Sequence, residues 1–192
     1  MTWLVLGLLI FLGVHSLGLL APRWRLRTME RLGSGLWTGV FALASLLGLA
    51  LVAWGFDAAR EQPVMLWMPP DALRHVAATL TLLAFMLLAA AFVPGNHLKA
   101  RLHHPLLLGV KTWAVAHLLV TGMLVHWVLF GSFLLWATLS YRVLRKRDRA
   151  AGLADTAGAT GPTAVMLVLG VAAWAVFAFG LHGLLIGIKP FG

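Results

Sequence analysis

Three histidines lie within long apolar runs of the sequence: His15, His117 and His182. An ionisable side chain inside a bilayer is costly, so each residue of this kind is a functional candidate by default. Imidazole is the commonest metal ligand in proteins, and it also ligates haem iron. One buried histidine can be satisfied by a hydrogen bond to a neighbouring helix, but three on separate apolar runs indicate metal or haem ligation.

The spacing of these histidines limits which of them can share a metal. His104 and His117 are 13 residues apart, which on one continuous helix is about 20 Å, so these two cannot bind the same ion. The depth of each histidine in a hydrocarbon core about 30 Å thick can be estimated from its distance in residues to the end of its span. By this estimate His15 and His182 are about equally good partners for His117. Spacing alone therefore leaves two pairs open, His117 with His15 and His117 with His182.

Two neighbours of His117 are candidates for holding a cofactor. Trp113 precedes His117 by one helical turn and shares its face, where a large aromatic ring suits a flat macrocycle and also ordinary packing. Lys111 lies about two-thirds of a turn away, on another side of the helix. In the favoured interpretation its ammonium snorkels to the surface. In the other, it pairs with an anionic group such as a haem propionate or a lipid headgroup.

The other histidines lie near the predicted membrane boundaries and are interpreted as structural or interfacial: His75, His97, His103 and His126. His104 stands apart because it precedes Pro105, and proline is favoured at the first position of a helix. His104 is therefore predicted to lie at the cap of a helix, where local structure would orient its ring.

The composition places the chain among integral membrane proteins. Of its 192 residues, 61% are hydrophobic and 11% charged, and the mean hydropathy is +0.91. Soluble domains are about half apolar and about a quarter charged. The formal charge of +9 comes from short basic clusters between apolar runs, which orient membrane proteins, so nucleic acid is not an expected partner. The absence of cysteine excludes disulfides and thiolate chemistry.

The apolar runs predict an all-α, polytopic helical bundle forming one domain over residues 1–192. A span needs about 20 apolar residues, and six candidates lie at about 2–20, 36–56, 72–93, 105–122, 124–142 and 163–187. Basic and non-basic loops alternate between these spans, as the positive-inside rule requires. Six spans therefore predict a multi-pass protein of the bacterial inner membrane with both termini in the periplasm. The segment 150–162 is predicted to be a flexible cytoplasmic linker.

Small and acidic residues give two further predictions. Glycines are predicted to allow close helix packing, at Gly13 and Gly18 or at Gly33, Gly35 and Gly39. No acid lies within a span, which argues against a proton pump or a hydrolase and favours a dry pocket for a lipid-soluble molecule.

Several segments resemble the NnrU family of bacterial membrane proteins. The most specific is HHPLLLGVKTWAVAHLLVTG at 103–122, which holds the pattern HP-x-L-x-G-x-x-x-W-A-x-x-H. The others are GVHSLGLL at 13–20, RHVAATLTLLAFMLLAAAFVPG at 74–95, LFGSFLLWA at 129–137, DRA at 148–150 and LHGLLIGIKPFG at 181–192. The resemblance covers nearly the whole chain.

The resemblance implies a cofactor and its ligands. The family includes the plastid 15-cis-zeta-carotene isomerase, a membrane protein that contains haem b and isomerises a cis double bond. Its two histidine ligands correspond to His15 and His117 here, which resolves the tie by resemblance and not by spacing. His104 and His182 are then predicted either to orient an iron ligand by contacting it or to serve as alternative ligands. The plant relative's cysteine is replaced by Ala114, so a cysteine-based ligand switch is not expected.

The resulting hypothesis is a membrane haem b protein with two histidine ligands. It would carry out redox or isomerase chemistry on an apolar, polyene-like substrate, in contact with membrane lipid and an unknown electron-transfer partner. One alternative is a non-enzymatic accessory protein of nitrite and nitric oxide reduction. Another is a membrane methyltransferase, which ranks lowest because the sequence shows no acid near Arg101, His103 and His104 to hold a ribose. In a further alternative, the histidines only hydrogen-bond within the bundle.

Overall fold

The structure is a computed structural model, and it describes residues 1–191. The described chain is helical with no strand, which confirms the all-α prediction. Nine α-helices occur among these residues: α1 (Thr2–Leu20), α2 (Pro22–Leu32), α3 (Ser34–Arg60), α4 (Leu73–Phe92), α5 (His97–Leu102), α6 (Pro105–Val120), α7 (Leu124–Ala150), α8 (Thr160–Val176) and α9 (His182–Ile186). A π-helical turn, Phe177–Leu181, joins α8 to α9, so the last span is continuous from Thr160 to Ile186.

Five helices of the described chain are long and apolar enough to cross a membrane, against the six spans predicted, and the sixth predicted span is a shorter apolar helix. The fourth predicted span is α6, which has 16 residues and is about 24 Å long, against a hydrocarbon core of about 30 Å. It nevertheless runs between the two ends of the bundle. His104, at the start of α6, contacts Asp148 in the last turn of α7. The end of α6 leads to Met123, which pairs with Met65 in the loop after α3.

The two ends of the bundle differ in charge. The basic end, where α1, α4 and α7 finish, carries Arg23, Arg25, Arg27, Arg31, Lys99, Arg101, Arg142, Arg145, Lys146, Arg147 and Arg149. Its acids are Glu30, Asp148 and Asp155, whereas acids and bases balance at the opposite end. Leu4 packs against Gly55 near the end of α3, and Ala159 at the start of the last span bonds to Gly95 after α4, so α1 begins and α9 ends at the opposite end. The positive-inside rule predicts that the basic end faces the cytoplasm.

Helices α1 and α3 pack closely through glycines other than those predicted. A Cβ at Gly7 would lie 2.6 Å from the backbone nitrogen of Val52, and one at Gly48 would lie 2.8 Å from that of Phe11. A Cβ at Gly55 would overlap the backbone of Leu4. The predicted glycines have open space around them or only the far end of an arginine side chain: Gly13, Gly18, Gly33, Gly35 and Gly39. The prediction of close packing was right, but the glycines that it named do not make the close contacts.

The segment from 151 to 159 is tied down at the basic end, which corrects the prediction of a flexible linker. The Leu153 N–H donates to the Asp148 carbonyl at 3.0 Å, and the Ala159 N–H donates to the Gly95 carbonyl at 2.8 Å. Asp155 bonds to His103 at 2.8 Å. These contacts hold the segment against the α4–α5 turn and the start of α6, beside a cavity described below.

Candidate functional site

His15 lies on α1 with its ring held by one hydrogen bond and three aromatic neighbours. Its Nδ1 is 2.7 Å from the Phe11 carbonyl, one turn earlier in the helix. The ring centroids of Phe11, Phe41 and Trp136 lie 4.3, 5.1 and 6.4 Å from that of His15. His15 also lines a cavity of about 500 Å³ that extends toward the basic end between α1, α6 and α7. The ring orientation of His15 is therefore fixed next to an open space.

His117 lies on α6 and is held in the same way as His15. Its Nδ1 is 2.8 Å from the Trp113 carbonyl, again one turn earlier. The ring stacks on Phe130 of α7 with centroids 4.4 Å apart, and the Trp113 ring lies 5.1 Å away. Trp113 thus packs beside His117, as its position one turn earlier predicts.

These hydrogen bonds determine which nitrogen of each imidazole is free. A carbonyl oxygen can only accept, so Nδ1 of His15 and of His117 must be the donor. In a neutral imidazole the Nε2 atom then carries the lone pair, which is the form that binds a metal, and the backbone bond also fixes the ring direction. Neither Nε2 atom bonds to another described residue, and neither is fully enclosed. In each histidine, Nε2 is therefore the ring nitrogen with a lone pair that bonds to no described residue.

His15 and His117 lie at different depths along α7. His15 packs beside Trp136, whereas His117 stacks on Phe130, and six residues of helix correspond to about 9 Å. Between the two rings runs a chain of aromatic contacts through Phe11, Phe133 and Trp113 with centroid separations of 4.3 to 5.9 Å. His117 does not line the cavity at His15. The pairing of these two histidines on one iron stays a prediction.

His182 begins α9, directly after the π-helical turn. Its Nδ1 is 2.6 Å from the Ile188 carbonyl, and its ring meets the Phe177 ring edge-on at 5.8 Å. The ligand role of His182 stays a prediction. No cluster of three or more histidine or acidic residues that could hold a metal occurs in residues 1–191.

Lys111 points to an aromatic neighbour. Its ammonium lies 5.5 Å from the ring centroid of Tyr141 on α7, a cation–π distance. Another lysine, Lys99, lines the cavity, and its Nζ donates to the Ala91 carbonyl at 2.7 Å. The ammonium that the structure places beside the cavity is thus that of Lys99. The sequence singled out Lys111 only because it lies inside an apolar run.

A histidine–aspartate cluster at the basic end was missed by sequence reasoning. His104 Nε2 lies 2.9 Å from Asp148 and His103 Nε2 lies 2.8 Å from Asp155, and both histidines line the cavity. His104 does lie at the N-cap of α6, as predicted, but its side chain bonds to Asp148 and not to the helix. The two acids also overturn the statement that none lies near His103 and His104. They come from 44 and 52 residues away, so no local pattern could reveal the contact.

The pKa of Asp155 gives a direct test of this cluster. The hydrogen bond from His103 lowers the pKa of the exposed Asp155 carboxyl, and the charges of His103, Arg145 and Arg101 lower it further. The contribution of this contact to stability is therefore present above the ordinary aspartate pKa and lost as pH falls through the lowered value. We expect His103→Ala to raise the Asp155 midpoint, measured by carboxyl-carbon NMR, and Arg142→Gln to leave it unchanged. An unchanged midpoint in His103→Ala would show that the contact is absent in solution.

Comparison with known proteins identifies one family. The family model described as NnrU protein matches residues 3–190, nearly the whole chain. No curated protein and no solved structure matches the chain. The match spans α1 to the residues after α9, so it includes all the histidines described above.

Proposed function

The chain belongs to the NnrU family, and on that premise we propose that it is a membrane haem b protein with His15 and His117 as the iron ligands. The observation that supports this proposal is the shared arrangement of the two imidazoles. Each Nδ1 donates to the carbonyl one turn earlier, at 2.7 and 2.8 Å, which leaves each Nε2 able to bind iron. We place the protein in the bacterial inner membrane with its basic end in the cytoplasm.

The surroundings of the two histidines suit a flat, apolar cofactor. Aromatic rings pack against both imidazoles, and no carboxylate contacts either of them among the described residues. Haem, when bound, would supply one-electron transfer or Lewis acidity toward an apolar, polyene-like substrate. Phe11 and Trp136 would hold the ring of His15, and Trp113 and Phe130 that of His117. The ammonium of Lys99, which lines the cavity at His15, would face an anionic group such as a propionate.

Absorption spectra of purified ligand variants test the proposal. We expect the wild-type protein in detergent to give a low-spin b-type spectrum, oxidised and after reduction with dithionite. His15→Ala and His117→Ala should each lose the spectrum or convert it to high spin. His75→Ala is the matched control because His75 is exposed at the opposite end, and its spectrum should stay unchanged.

Three results would contradict parts of the proposal. A protein that stays colourless after haem is added back would remove haem altogether. Conversion in His117→Ala and His182→Ala, but not in His15→Ala, would assign the iron to the other histidine pair. A normal haem spectrum without turnover of any polyene would favour the accessory role in nitrite and nitric oxide reduction over catalysis.

A membrane methyltransferase is the second candidate because Asp148 and Asp155 now lie beside His103 and His104. These carboxylates could accept hydrogen bonds from a ribose. Saturable binding of S-adenosylmethionine that Asp155→Asn abolishes would support this function, and its absence in calorimetry would remove it.

A further inference from the structure

The basic end of the cavity holds a histidine whose ring is fixed by a carboxylate. His104 Nε2 lies 2.9 Å from Asp148 Oδ2, so Nε2 carries the proton that the carboxylate accepts. His104 Nδ1 bonds to no described residue and is not enclosed, and the residue lines the cavity of about 500 Å³. This is the arrangement of a base with a fixed tautomer, in which the carboxylate also stabilises the protonated ring.

Asp148 is an ionisable side chain that is largely buried. Its side chain is 11% exposed, and it contacts His104 at 2.9 Å, His103 at 3.6 Å and Arg145 at 3.6 Å. A buried charge is weak evidence for stability because its desolvation offsets much of the attraction. His103 is also the only described residue other than glycine with a positive φ, at 62°, a conformation that costs energy and clusters at functional sites. Both features indicate that the cluster serves more than packing.

The same cluster continues from the cavity to water. His103 lies within 3.6 Å of Asp148 through Nδ1, and its Nε2 lies 2.8 Å from Asp155. The side chain of Asp155 is 66% exposed. Histidine and carboxylate therefore alternate from the cavity wall to the aqueous surface, and the 3.6 Å separation between His103 and Asp148 is longer than a hydrogen bond.

We propose that His104 and Asp148 form a general acid–base site that exchanges a proton with a lipid-soluble ligand in the cavity. The ligand class is a molecule with an apolar body and a hydroxyl head, such as a phenol or an enol. The ligand O–H proton moves to His104 Nδ1, the ligand keeps the electron pair as an oxyanion, and the Nε2 proton stays shared with Asp148. The His104 imidazolium then faces the oxyanion.

The reverse step returns a proton from His104 to the ligand, so no oxidant or reductant is needed and the inference does not rest on haem. Besides His104, the lining residues with polar groups are His15, Lys99, His103, Trp136 and Ser140, and the remaining lining residues are apolar. The titratable and charged groups around His104 are His15 on α1, Lys99 and Arg101 on α5, His103, Asp155, and Tyr141, Arg145 and Asp148 on α7.

Hydroxypyrene, an apolar photoacid with one hydroxyl, provides the probe. When excited it gives up its proton only to a base within hydrogen-bond distance, and its neutral and anionic forms emit in separate bands. We expect the purified wild-type protein in detergent to raise the ratio of anionic to neutral emission in a saturable manner. His104→Gln and Asp148→Asn should lower that ratio at least about threefold, as removal of a positioned base costs far more in rate.

Matched variants keep the test decisive. His97→Gln removes an exposed histidine at the same end that does not line the cavity, and it should leave the ratio unchanged. Ser140→Phe fills the cavity and should abolish the saturable signal while helical circular dichroism is retained. An equal ratio in wild type, His104→Gln and Asp148→Asn, or no saturable signal in the wild type, would overturn the proposal. Haem spectra of the same samples separate this outcome from failure of the proposed function.

Discussion

Replacing Gly55 with valine is expected to separate α1 from α3 and to lower the stability of the bundle by about 3 kcal/mol or more, the upper end of overpacking costs. The cause is that any Cβ at this position would overlap backbone atoms of Trp3 and Leu4, and backbone cannot rotate away as a side chain can. For a protein of this size, that loss corresponds to a fall in Tm of about 6 to 12 °C. Intrinsic tryptophan fluorescence during heating in detergent measures it.

Gly39→Val is the matched control for this prediction. Gly39 lies on the same helix, α3, and has nothing within 4 Å of an added Cβ. Valine also has a better helix propensity than glycine by a few tenths of a kcal/mol, so Gly39→Val should leave the Tm unchanged or raise it slightly. Equal effects of the two substitutions would contradict the close approach of α1 and α3 at Gly55.

Asn96→Ala is expected to lower stability by about 2 to 4 kcal/mol, the sum of a lost helix cap and unsatisfied buried carbonyls. Asn96 is fully buried. Its Oδ1 accepts from the Lys99 N–H at 2.8 Å and caps α5, while its Nδ2 donates to the carbonyls of Ala90 and Val93 at the end of α4. One side chain therefore satisfies both sides of the turn that places α5 and Lys99 beside the cavity. Thermal unfolding of the variant in detergent measures the loss.

Asn96→Ser divides this effect into its two parts. Serine can still cap α5 by accepting from the Lys99 N–H, but it is too short to reach the α4 carbonyls. Its Tm should therefore lie between those of the wild type and Asn96→Ala. A serine variant as unstable as the alanine variant would show that the cap contributes nothing.

The candidate haem ligand His15 and the histidine–aspartate cluster lie in different parts of one cavity. His15 is at the wall nearer the middle of the bundle, and His104 is at the basic end. The haem spectra and the hydroxypyrene emission address these two parts separately.

The sequence by itself determined the class of the protein, the position of most helices and the identity of the candidate ligands. Long apolar runs can be satisfied in lipid only by helices, because every backbone polar group must be bonded within its own segment. Five of the six predicted spans accordingly appear as helices of membrane-spanning length. His15, His117 and His182 were identified for the same reason, since an imidazole in an apolar run stands out without any knowledge of its partners.

Only the tertiary structure decided which side chains meet. The packing glycines Gly7, Gly48 and Gly55 and the contacts of Asp148 and Asp155 were missed or misplaced. The physical reason is that a transmembrane helix is apolar on every side, so its sequence carries little periodic signal to show which face packs against a neighbour. The contacts between His103, His104 and the two aspartates join residues 44 or more apart. Asp148 reaches His104 because α7 extends to Ala150, and Asp155 reaches His103 because the segment after α7 lies against the start of α6.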